Sequence, residues 1–330
     1  MVAPKKNISA VITLLFVAPL VAEYLLGDLP LKLLPALIVL VPMYGGGAVL
    51  LREVTRRVGR GWPTMLLLGV AYALIAEGLI TQSLFNHDYL KMHLHLLVPA
   101  YMPALGIGAW WTLLMVNLHA FWSMGVSIAL VEALYPAEAD APWLGRVGDA
   151  VMGLVFVLGA VANFGIGFKQ NQFVATHAQL LSVAVLSVLV VACALLLPRG
   201  GRGGMVGGAP SAWVVGVVAL VLGLGVMSTP PKWGWGAVGA MLAIDAIFLG
   251  LVWILSRREG WSALHRLSLG AGGAMAYGVH VFFHKPLIGG LLWGRIGNVV
   301  FLAAAVGVIV VGVKRVSRLG VGGSTAALEV

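Results

Sequence analysis

The sequence predicts an all-α fold: a polytopic transmembrane helix bundle of about ten spans with both termini cytoplasmic. Three observations carry that prediction. Of the 330 residues, 60% are hydrophobic and only 10% charged. Apolar runs of about 20 residues, enough to cross a bilayer as helix, recur from end to end. The runs are solidly apolar rather than alternating, which excludes barrel strands, the other structure that satisfies its own backbone in lipid. A net charge of +9 would suggest nucleic acid in a soluble chain. Here the positive-inside rule accounts for it, because 15 of the 21 Lys and Arg residues fall on the cytoplasmic side of the alternating topology. Lys32, Lys91, Lys169, Lys232, Lys285 and Arg295 are the remainder, on the outside. Nucleic acid is therefore not an expected partner. Membrane lipids are, the plasma membrane is the expected location, and no motif implies a cofactor.

The spans are read at 8–27, 33–51, 63–85, 109–134, 149–168, 178–197, 211–228, 235–256, 263–284 and 291–312. The first follows Lys5 and Lys6. Its apolar run is long for a signal peptide and ends in Glu23 without a clear cleavage motif, so a retained span is expected. Glu23 itself reads as a solvated interfacial acid. The second span holds Tyr44 and the triplet Gly45, Gly46 and Gly47, which let helices approach closely; a broken helix lining a cavity is the other reading. The basic turn LREVTRRVGRGWP after it suits anionic lipid headgroups.

The third span carries the most informative residue, Glu77. An acid at the centre of a spanning helix costs about 2.5 to 3.5 kcal/mol, so it should face protein or a wet cavity. At 100° per residue, Ala73, Glu77, Thr81 and Leu84 share one face and Gln82 sits off it. Asn86 comes next among the polar residues. The connection 86–108 is the longest on the outside and contains His87, Asp88, His93 and His95. Zinc is one reading of that group, wet loop histidines the other. Pro99 and Pro103 favour an irregular segment able to cover a site.

In the fourth span Thr112, His119 and Ser123 form one stripe, with Asn117 opposite. Glu77 and His119 each lie about 14 Å below the outer end of their helices at 1.5 Å per residue, so their heights match. Glu132, near the other end, is expected to pair with Arg146 or a base in the 52–60 turn. Span five contains Asn163, and span six is almost wholly apolar, as a lipid-facing helix would be. Its Cys193 is the only cysteine, which removes disulfides, and reads as a small buried hydrophobe.

The Gly-rich stretch PRGGRGGMVGGAPSA is the only domain seam. It divides a six-span segment, 1–198, from a four-span segment, 211–330, across a linker at 199–210, within what should be one integrated membrane domain. No P-loop lysine comes after those glycines. Asp245 lies about 15 Å deep in span eight. Tyr277, His280 and His284 share a face of span nine, with the spacing of a helical metal pair but without the glutamate of a zincin.

The acid-bearing AEGLITQSLF, His119 on the next helix, and His280 with a residue four later resemble the CPBP (CAAX protease and bacteriocin-processing) intramembrane proteases. Those proteins carry Glu-Glu-x-x-x-Arg, Phe-x-x-x-His and His-x-x-x-Asn helices. Here Ala76, Thr81, Met115 and His284 stand at the first glutamate, arginine, phenylalanine and asparagine. The resemblance implies that Glu77 is the base that activates water and that His119 and His280 orient it or stabilise an oxyanion.

Three classes of function are compatible with these residues. An intramembrane hydrolase would use Glu77, His119 and His280 on a peptide or lipid bond, with Thr81, Gln82, Asn86, Asn117, Ser123, Asp245 and Tyr277 as substrate contacts. A proton-coupled transporter of a small molecule would exchange protons at Glu77 and Asp245. A non-catalytic scaffold would use the same polar side chains as glue between helices.

Overall fold

A computed structural model of the chain describes residues 6–197, 205–284, 286, 288 and 290–326, the side chains of 205 and 320–326 excepted. Lys5, Arg199, Arg202 and Lys285, all used in the charge count, lie outside the described residues. Ten helices of 16 residues or more stand among those described: α1 Ile8–Leu25, α2 Leu31–Arg57, α3 Trp62–Ile80, α4 Ala109–Leu134, α5 Arg146–Asn171, α6 His177–Leu196, α7 Ala212–Met227, α8 Trp235–Leu255, α9 Ala263–His280 and α10 Leu291–Ala326. Eight of them are long and apolar enough to cross a membrane. The exceptions are α7, apolar but only 16 residues long, and the Gly-rich α9. Two small sheets qualify the all-α expectation. Strands β1 Tyr101–Met102 and β2 Ile107–Gly108 pair antiparallel inside the long loop, and β3 Met205–Gly208 pairs in parallel with β4 Arg258–Glu259. The second pair anchors the end of the Gly-rich linker to the α8–α9 connection.

The apolar stretches of α3 and α4 are 67% and 78% buried, those of α5 and α8 only 11% each. The two polar helices are therefore central, and the plainest ones form the outer wall. Cys193 is exposed on α6, against the expectation of burial, because that outer helix buries only Val183, Ser187 and Ala194. The later helices pack directly on the earlier ones. Trp122 of α4 stacks on Tyr277 of α9 with ring centroids 5.1 Å apart, and Tyr24 of α1 meets Phe301 of α10 at the same distance.

Four of the central helices contain wide turns with i to i+5 hydrogen bonding: Leu20–Leu25, Val41–Gly45, Ile75–Ile80 and Leu118–Val126. Such turns are rare, and each shifts the helical phase of the residues after it. Pro19 and Pro42 account for the first two, since proline removes one ladder hydrogen bond. The other two contain Gly78 and Gly125. The glycine triplet of α2 serves its packing reading: a Cβ at Gly45 would collide with the Leu15 backbone and one at Gly47 with the Tyr72 ring, and the helix widens there without breaking.

Two arginines of the basic stretch, at the end of α2, face protein rather than lipid headgroups. Arg52 is fully buried and Arg56 nearly so. The Arg52 guanidinium donates to Glu132 (3.0 Å), to Glu53 (2.7 Å) and to the carbonyls of Glu138, Ala139 and Ala141, and lies 3.3 Å over the Trp143 ring. Arg56 grips both Glu132 oxygens at 2.8 Å. Glu53 in turn accepts from the backbone N–H groups of Trp143 and Leu144. The segment YPAEADAPWLGR is thereby folded onto the ends of α2 and α4. Its charge complementarity, rather than a membrane surface, is what the arginines serve.

Candidate functional site

The four wide turns converge on one cluster of polar side chains. His119 Nε2 lies 3.3 Å from Glu77 Oε1, and both side chains are buried. The other ring nitrogen, Nδ1, is 2.9 Å from the Met115 carbonyl. A carbonyl only accepts, so Nδ1 carries a proton, and in the neutral ring the Nε2 lone pair is what faces Glu77. Nε2 stands within ion-pair distance of Oε1 but makes no hydrogen bond among the described residues. The second carboxylate oxygen of Glu77 accepts from Thr81 (3.0 Å) and from Ser83, whose hydroxyl also accepts from the Trp111 indole at 3.3 Å.

A second acid stands beside this pair. Tyr44 donates to Glu23 at 2.6 Å, and its ring stacks on His119 with centroids 5.8 Å apart. Tyr72 lies 5.7 Å from the imidazole and 6.2 Å from Tyr44, so the three rings form a triangle. Glu23 is therefore part of the polar cluster and not the solvated interfacial acid the sequence suggests. The aromatic walls keep the imidazole dry, which strengthens every charge interaction within them.

Helix α3 ends at Ile80 rather than 85, and the chain reverses through Gln82 at φ 56°. Glu77 thus lies one turn from the helix end, not nine residues below it. The reversal is what returns Ser83 to Glu77, a contact excluded by straight-helix geometry, where i and i+6 point to different sides. Loop 86–108 sits next to this end. Burial of its Tyr89, followed by the charges of Glu77 and Glu23, pushes the phenol well above its usual range. Asp28, just beyond α1, is raised to about 7 by burial and then by Glu23.

The remaining predicted site residues disperse. Gln82 accepts from the Ala175 N–H at 2.7 Å, and Asn86 accepts from the Asp88 N–H; both hold backbone. Ser123 donates to the Leu118 carbonyl, a bond opened by the wide turn. Asn117 donates to Asp245 at 3.1 Å in a separate cavity, so Asp245 does not join Glu77. Tyr277 packs on Trp122. His280 lies against His284, with ring centroids 4.1 Å apart, and among the described contacts none joins it to Glu77 or His119. Of the loop histidines, His93 pairs with Asp88 at 3.0 Å and His87 lies near the Tyr101 ring. Among the described residues no three His, Cys, Asp or Glu gather as a metal site.

Glu23, Tyr44, Tyr72, Ser83 and Tyr89 are the members of the cluster that sequence reasoning did not select. For Tyr44, its place beside Pro42 and three glycines was an available signal. Neither the curated proteins nor the solved structures compared with the chain gave a match. A family model does match residues 12–313, so the chain belongs to an uncharacterised membrane protein family.

Proposed function

We propose that the Glu77–His119 pair is the acid–base centre of an intramembrane hydrolase acting on a peptide or lipid bond. The observation that carries this reading is the 3.3 Å approach of His119 Nε2 to Glu77 Oε1 with Nδ1 fixed on a backbone carbonyl. A carboxylate beside an imidazole takes a proton from water and returns it to a leaving group, the two halves of hydrolysis. Ser83 and Thr81 orient the carboxylate, and Tyr89 of loop 86–108 lies near enough to feel its charge. Glu77 and His119 are retained from the residues implied by the CPBP resemblance; His280 takes no part in this cluster.

The protein is placed in the plasma membrane with ten spans and both termini cytoplasmic, so that the cluster opens toward the outside. This topology is supported by the charge bias and by ten successive helices of 16 residues or more, eight of them long and apolar enough to cross a membrane. A second reading, a proton-coupled carrier, is favoured by the Tyr44–Glu23 hydrogen bond beside the pair, which extends the row of protonatable groups. Asp245 is not part of that row.

The test is Glu77→Gln in protein reconstituted into vesicles made from total membrane lipid and membrane peptides. Mass spectrometry should find cleaved products with the wild type and none with Glu77→Gln, while the variant unfolds at a wild-type temperature. Proton-linked uptake without cleavage selects the carrier. Undiminished cleavage in Glu77→Gln refutes the assignment of Glu77.

A further inference from the structure

A cavity of about 280 Å³ lies between α3, α4, α7, α8 and α9, separate from the Glu77 cluster. It runs from Asn117 and Asp245, midway along their helices, to Ser256, Trp261 and Arg266 at the end of the bundle that holds the Arg52 network. The eleven residues from Asp245 to Ser256 along α8 correspond to roughly 16 Å at 1.5 Å per residue. Between those ends the wall is hydrocarbon and aromatic, with Phe121, Trp122, Phe248 and Trp253 among its residues. A long, narrow, apolar space with polar groups at one place suits a single hydrocarbon chain better than a compact polar solute.

The polar locus defines the head of that ligand. Asn117 is 1% exposed, and its amide Nδ2 is fully used, donating to the Leu113 carbonyl at 3.0 Å and to Asp245 Oδ2 at 3.1 Å. Its Oδ1 is buried with no partner among the described residues. A buried amide oxygen without a donor costs about 1–3 kcal/mol, and an ionised carboxylate in hydrocarbon costs more. The Asp245 carboxylate has the Asn117 amide as its one described donor, and Asn117 Oδ1 beside it has none, so the locus holds more acceptors than donors. A protonated primary amine has three N–H donors and the opposite charge, so it satisfies both. Helix α8, which carries Asp245, is only 11% buried along its apolar stretch, and this outer position provides a lateral entry from the bilayer.

We propose that this cavity binds a single-chain lipophilic amine, its ammonium on Asp245 and Asn117 and its chain along Phe248 and Trp253. The proposal uses none of the residues of the acid–base pair and stands or falls separately from it. It is tested with the purified full chain by titrating dodecylamine, dodecanol and dodecanoic acid at neutral pH, following tryptophan fluorescence and unfolding temperature. The amine should saturate and bind about tenfold more tightly than the alcohol, the difference a charge-assisted hydrogen bond makes, and the acid more weakly than both. Asp245→Asn, nearly isosteric, should erase the preference for the amine. Leu249→Trp, at a wall position 43% exposed and so tolerant of size, should weaken all three. Equal affinity for amine and alcohol, an unchanged preference in Asp245→Asn, or amine binding untouched by Leu249→Trp would each overturn the proposal.

Discussion

Replacing Arg52 by Ala should destabilise the protein more than any other single change in its basic turn. The guanidinium makes five hydrogen bonds, two to carboxylates and three to the carbonyls of Glu138, Ala139 and Ala141, with no solvent exposure. Removing one partner of a buried ion pair costs about 3–5 kcal/mol, because the remaining charge has lost both its water and its counterion. Here the loss is moderated: Glu132 keeps Arg56, and Glu53 keeps the N–H groups of Trp143 and Leu144. The three carbonyls and the face of Trp143 have no such substitute, so a total of about 3–4 kcal/mol is expected. Arg57→Ala is the control. That side chain is 31% exposed, pairs with Asp149 at 2.5 Å and makes a single bond to the segment, to the Leu144 carbonyl at 2.8 Å, so with solvent screening its loss should stay at about 1 kcal/mol. Equilibrium unfolding in mixed micelles, with both variants at one pH and salt concentration, measures the difference. If Arg52→Ala costs no more than Arg57→Ala, the account of the 135–144 segment as clamped by Arg52 is wrong. Arg52→Lys should fall between the two, keeping the charge but losing the planar fork.

Three further expectations rest on single features. Asp28 has a folded pKa raised from 3.8 to about 7 by burial and by Glu23, so its contribution is full below pH 3.8 and is lost as pH rises to about 7; Asp28→Asn should flatten stability across that window, and an identical slope in the variant would rule Asp28 out as its source. Gly47→Ala drives a methyl into the Tyr72 ring and should cost about 1–3 kcal/mol, whereas Gly153→Ala, with nothing within 4 Å of its Cβ, should stabilise α5 by up to about 1 kcal/mol; unfolding midpoints that rank the two the other way would contradict the packing described. Cysteines placed singly at positions 90, 172 and 232, in a chain lacking Cys193, should react with an impermeant thiol reagent added outside intact cells, and reaction only after permeabilisation would invert the proposed orientation.

What the sequence determined by itself was the membrane bundle, the order of its helices and the two residues at the heart of the cluster. Long apolar runs leave helix as the solution in lipid, and an acid or imidazole within such a run has no cheap place except a protein interior, so Glu77 and His119 were legible one at a time. Their pairing was suggested by matching depth, yet the depth argument assumed a straight helix to residue 85. The tertiary structure decided the rest. Wide turns shift the helical phase, and the reversal at Gln82 brings in Ser83, which a constant 100° per residue places on another side. Glu23, Tyr44 and Tyr72 come from elsewhere in the bundle, and no local pattern encodes which faces will meet. Arg52 and Arg56 looked like surface charge because a run of bases reads the same whether its counterions are lipid phosphates or buried carboxylates. Only the packing of the 135–144 segment against them distinguishes the two, since the sign of a charge is local information and the identity of its partner is not.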